Sequence, residues 1–79
     1  MVVTLTAQAE ALFVSFLQPS SQASPAQVKA AIAASLAAFH GTTGCAAAMA
    51  AEYGKDPELA SARMRWALAQ CRTTGRSNH

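Results

Sequence analysis

The side chains able to do chemistry are few, and their spacing limits what they can do. His40, Cys45, Cys71 and His79 are the ligand types of a zinc site, yet no two of them have the close, repeated spacing of zinc motifs. His40 stands where a helix should end, a place where a cation complements the helix dipole. No metal or other cofactor is expected. The carboxylates are Glu10, Glu52, Asp56 and Glu58, and the last three crowd one turn, where capping accounts for them better than acid–base work. Ser15, Ser24 and Ser35 have no base that spacing arranges beside them. Gly41 and Gly44 bracket only two threonines, too little to cradle a phosphate. The pattern predicts no enzyme and implies no small-molecule substrate.

What remains is positive charge, unevenly placed. Through Glu58 the chain carries its four acids against Lys29 and Lys55; beyond it stand only Arg63, Arg65, Arg72 and Arg76. A net charge of +2 therefore divides into −2 for the first part and +4 for the second. Cations late in a helix also suit its dipole, but a split of this size points to a partner with negative charge. Lys55, Arg63, Arg65, Arg72 and Arg76 are the candidate contacts to nucleic acid.

Seventy-nine residues make one domain, of a size that buries only about 60 % of the surface exposed by the unfolded chain. Twenty of them are alanine, which favours helix strongly and buries little area, so the sequence specifies helices well and a core weakly. That raises the expectation of self-association. No apolar run reaches the roughly 18 residues of a spanning helix, and no basic segment precedes an apolar one at the N-terminus. A cytoplasmic location, without membrane contact, is the resulting expectation. Leu12, Phe13, Phe16 and Leu17 do form an apolar face, but the helix bearing them has no Lys or Arg to meet a lipid surface.

Four helices can be read from their punctuation, and no segment alternates like a strand. The first spans about 4–18, from Thr4 or Thr6 as N-cap to the stop at Pro19, with Leu5, Ala9, Leu12, Phe13, Phe16 and Leu17 on one stripe. The second spans about 24–40: "SPAQ" puts Ser24 at the N-cap, Pro25 at the first helical position and Gln27 where a capping box needs it. Val28, Ile32, Leu36 and Phe39 give its inward face, and Gly41 can adopt the left-handed conformation that ends it. The third covers about 43–53, capped by Thr42 or Thr43, facing inward with Ala46, Met49, Ala50 and Tyr53, and closed by Gly54. The fourth covers about 56–72, with Asp56 as N-cap and Pro57 at the first helical position. The expected architecture is a compact all-α, four-helix domain over residues 1–72, with a flexible tail over 73–79.

In an antiparallel pair formed by the last two helices, Cys45 and Cys71 would be offset by roughly 10 Å along the axis, so buried free thiols are expected rather than a disulfide. The last helix has two apolar arcs. Ala60, Met64, Ala67, Leu68 and Cys71 form one; Leu59, Ala62, Trp66 and Ala69 form the other, with arginines between them. One arc must meet the core. The other can meet a partner, so Leu59, Ala62 and Trp66 are candidate interface residues.

Over residues 46–71 the text resembles the helix-turn-helix class, with Ala50 as the small residue of the first helix, Gly54 as the turn glycine and "KDPELASARMRWA" as the second helix. Lys55 stands where that class usually buries an apolar residue, and acids at Asp56 and Glu58 oppose a phosphate backbone. Over most of the chain, "LTAQAEALF", "GCAAAMAAEYG" and "ARMRWALA" resemble small alanine-rich helical proteins of high-GC soil actinobacteria. That resemblance implies a soluble bacterial helical protein and no particular activity. Two functions are therefore expected in competition: a dimeric, helix-turn-helix-like regulator binding duplex DNA, or a protein-interaction module or homodimer using the Trp66 side of the last helix.

Overall fold

Three of the four helix starts are set by a side chain bonding back to the backbone. The computed structural model, which describes residues 4–76 of the chain, has four α-helices: α1 (Leu5–Phe13), α2 (Pro25–Ala38), α3 (Thr42–Lys55) and α4 (Pro57–Arg76). Among the described residues there is no strand, so the domain is all-α. Thr4 Oγ1 accepts from the Ala7 N–H at 3.1 Å. At the start of α2, Ser24 and Gln27 form the reciprocal box, with Gln27 N–H donating to Ser24 Oγ at 3.2 Å and Ser24 N–H to Gln27 Oε1 at 2.8 Å. Asp56 Oδ1 accepts from Leu59 N–H at 3.1 Å, so one residue both ends α3 and opens α4. Each such cap contributes roughly 1 kcal/mol.

The exception is α3, whose N-cap is Gly41 at φ 99° with no side-chain bond; Thr42 and Thr43 lie inside the helix. The junction before it is tight. His40 takes the left-handed conformation at φ 62°, and the Gly41 N–H reaches back to the Leu36 carbonyl at 2.7 Å. The bond from C″ to C3 is that of a Schellman ending. It leaves α2 and α3 meeting at 95°. Gly44, in the first turn of α3, lies directly against the Phe39 carbonyl, where a Cβ would collide with it.

The ends of α1, α3 and α4 differ from the sequence expectation. Helix α1 ends at Phe13 rather than at Pro19, and the chain passes through Val14–Gln18 before a short 3₁₀ turn at Pro19–Ser21. Ser15 Oγ donates to the Leu12 carbonyl at 2.6 Å and accepts from Leu17 N–H at 3.3 Å, drawing the chain out of helix. Phe16 consequently leaves the expected apolar stripe and is 73 % exposed, while Leu17 stays buried. Gly54 does not close α3: it is helical, and the helix runs on to Lys55. At its other end α4 continues through Thr73 and Thr74 to Arg76, and Thr74 is buried. Residues 77–79 of the expected tail, His79 among them, lie outside the described residues, as does the side chain of Arg76.

The core is narrow. Ala9, Leu12, Phe13 and Leu17 meet Val28 and Ala31 of α2 and Ala60, Ala67 and Cys71 of α4, with α1 lying chiefly against α4. Met49 and Tyr53 of α3 pack on this cluster, and the Tyr53 ring stacks on Phe13 at 6.0 Å and 12°. Ala50, expected to face inward, is exposed. Among the described residues, Leu12, Val28 and Cys45 are the largest fully buried side chains. At about 1.5–3 kcal/mol for each large side chain buried, such a core leaves the domain dependent on its polar contacts. No single helix among the described residues is long and apolar enough to cross a membrane.

Candidate functional site

Beside this core an apolar groove of about 880 Å³ opens to solvent. One wall is α3, which presents Ala48, Ala51, Glu52 and Lys55; another is the first half of α4, with Leu59, Ala62, Arg63 and Trp66. Asp56 joins the two at the vertex, and Phe39 and the segment after α1, from Phe13 to Pro19, complete the lining. Its contributing length of α4, Asp56 to Trp66, is roughly 15 Å at 1.5 Å per residue. Alanine makes the middle of both helical walls shallow, while Phe13, Phe39, Leu59 and Trp66 supply aromatic and aliphatic bulk. Leu59 is 66 % exposed and Phe39 36 %. Leu59, Ala62 and Trp66, the three interface candidates read from the sequence, are thus together in one concavity.

Arg63 holds the groove's shape. Its Nε donates to the Phe13 carbonyl at 2.7 Å, and Nη2 donates to the carbonyls of Ser15 at 3.1 Å and Leu17 at 2.8 Å. The carbonyls at the end of a helix have no partner within it, and here one guanidinium from 46–50 residues further along supplies them. The guanidinium carbon lies 4.8 Å from the Trp66 ring centre and 5.8 Å from that of Phe13, within the range of a cation–π contact. Burial lowers the Arg63 pKa from its usual value. A guanidinium remains charged at neutral pH even so. By sequence Arg63 is one cation among several, and its tie to Phe13, Ser15 and Leu17 has no signature in local spacing.

The remaining candidate cations are placed differently. Lys55 bridges Glu52 at 3.2 Å on the groove rim, both side chains being well exposed. Arg65 and Arg72 are exposed and seven residues apart on one stripe of α4. Arg76 lies in the last turn of the helix. Arg63 therefore does not share a face with Arg65 and Arg72; it stands nearly opposite them around the helix. Among the described residues no three His, Cys, Asp or Glu side chains gather as a metal site.

Comparison with family models, curated proteins and solved structures finds no match.

Both cysteines are free and buried on the core side of the helices, away from the groove. Cys45 Sγ donates to the Ser35 carbonyl at 3.6 Å, a contact that fixes α3 against α2. Burial raises the pKa of both thiols, with a further upward push on Cys45 from Glu10. Raised thiols are poor nucleophiles, so these side chains act as small apolar fillers.

Proposed function

We propose that the protein is a non-catalytic interaction module, and that the groove between α3, α4 and the segment after α1 receives an apolar element of a protein partner. The observation that carries this reading is the exposure of Leu59 beside Phe39 and Trp66 in a concavity of about 880 Å³. An open apolar surface of this kind suits a docking element that presents its own apolar side chains. The alanines of the two walls admit a helix backbone closely, and the wall length matches two to three helical turns.

Trp66 is the only tryptophan in the chain, so its emission reports the groove directly. Titration with the apolar dye anilinonaphthalene sulfonate, at concentrations where the chain is monomeric, should quench Trp66 by energy transfer and saturate. Ala51→Glu and Leu59→Lys, both at exposed wall positions, should weaken that binding while leaving helicity unchanged. A dye response absent from the wild type, or indifferent to both substitutions, refutes the groove.

A second reading, duplex DNA binding by α4, draws on Arg65 and Arg72, which share one exposed stripe with no acid beyond Glu58. It requires affinity that falls with salt at a slope near −0.9 per phosphate neutralised. No retention of generic duplex at low salt removes it.

A further inference from the structure

Resting on the groove side of α4 as the binding surface, we infer that its partner is a second copy of the chain, docked α4 against α4 in antiparallel orientation about a two-fold axis near Ala62, with reciprocal Glu58–Arg65 ion pairs.

The seam is written at alternating intervals of three and four residues: Leu59, Ala62, Trp66, Ala69, Thr73. That is the spacing at which one helix keeps a continuous line of contact with another. In the monomer the line is open. Leu59, Ala62, Ala69 and Thr73 are exposed and Trp66 is half-buried, because Ala60, Ala67, Cys71 and Thr74 already face the core from the other side of α4. One flank of the seam carries Glu58, Arg65 and Arg72 at intervals of seven, all exposed.

Charge selects the occupant and its direction. When two copies of α4 run antiparallel around Ala62, position 58 of each falls opposite position 65 of the other, so both Glu58 side chains meet an arginine. A parallel pair would instead set Glu58 against Arg63, whose guanidinium is already bound to three carbonyls, and Arg65 against Gln70. The antiparallel arrangement is isologous, closing at two copies. Alanine at its centre lets the axes approach toward the short end of the usual 8–10 Å. Leu59 of one copy then lies beside Trp66 of the other, at the groove edge, and loses the exposure it has in the monomer.

Sedimentation equilibrium of the full chain from about 1 µM to about 1 mM tests this. The wild type should show a monomer–dimer equilibrium. Glu58→Arg and Arg65→Glu, each at an exposed position, should each weaken it by about tenfold or more at low salt by setting like charges opposite one another. The double variant Glu58→Arg/Arg65→Glu should return to within about threefold of wild type, because the pairs are restored with their signs exchanged. Circular dichroism of each variant confirms the fold. A monomer at every concentration overturns the proposal, and so does a dimer whose double variant is as weak as the singles. If the monomeric chain still gives the Trp66 dye response, the groove stands and only the second copy falls; if that response is also missing, both fall.

Discussion

Replacing Arg63 by methionine keeps an unbranched apolar stem and removes the guanidinium that lies over the Phe13 and Trp66 rings. The loss can be worked from its contacts. Three charge-assisted bonds, at 2.7, 3.1 and 2.8 Å, hold the carbonyls of Phe13, Ser15 and Leu17. Bonds to a charged group contribute about 1.5–3 kcal/mol when well buried. These are only part-buried, and water can replace each in part, so about 1 kcal/mol apiece is the better figure. The cation–π contact at 4.8 Å from the Trp66 centroid adds about 0.5–1 kcal/mol. Arg63→Met should therefore cost about 3.5–4 kcal/mol, set against a total of roughly 4–12 kcal/mol for a domain of this length. With a urea slope near 1 kcal/mol per molar, the unfolding midpoint should fall by about 3.5–4 M. Arg63→Lys should recover about 1 kcal/mol at most, since a point-like ammonium cannot span three carbonyls. Urea unfolding followed by circular dichroism and by Trp66 emission gives the measurement. A loss under about 1 kcal/mol for Arg63→Met would refute the role assigned to these bonds.

Two glycines in α3 should respond in opposite directions to the same change. Gly54→Ala, where an added Cβ meets nothing within 4 Å, should stabilise by about 0.5–1 kcal/mol through helix propensity. Gly44→Ala gains the same propensity but drives its Cβ into the Phe39 carbonyl and should destabilise; thermal unfolding of the pair distinguishes them. The thiols make stability fall in alkali. Cys45 and Cys71 have folded-state pKa values above the unfolded ones, so their contribution is complete below about pH 8.5 and is lost as pH rises through the folded values. The decline between neutral pH and about pH 10 should be shallower in Cys45→Ala/Cys71→Ala, and equal slopes in the two proteins would count against it.

The four helices and three of their starts were legible because their determinants are local; the start of α3, at Gly41 rather than Thr42 or Thr43, was not. Ser24 with Gln27, Asp56 before Pro57, and the recurrence of Ala60, Ala67 and Cys71 are read within one or two turns, and the structure uses them in that way. The two apolar arcs of α4 were legible for the same reason: a helical period turns spacing into direction. What one-dimensional spacing could not supply was the company each arc keeps. Leu59, Ala62 and Trp66 could be grouped from the sequence, but Phe39 and the Phe13–Pro19 segment join them only through the fold.

The end of α1 is the clearest case of a decision made elsewhere. Pro19 sets an outer limit on the helix, and the sequence by itself determined that much. The helix stops at Phe13 because Ser15 takes the Leu12 carbonyl and Arg63 takes those of Phe13, Ser15 and Leu17. Capping and periodicity are nearest-neighbour effects and can be read from the chain in order. A guanidinium bound to carbonyls 46–50 residues away depends on two helices having already packed. Tertiary structure therefore decided which arginine became part of the frame and which remained on the surface.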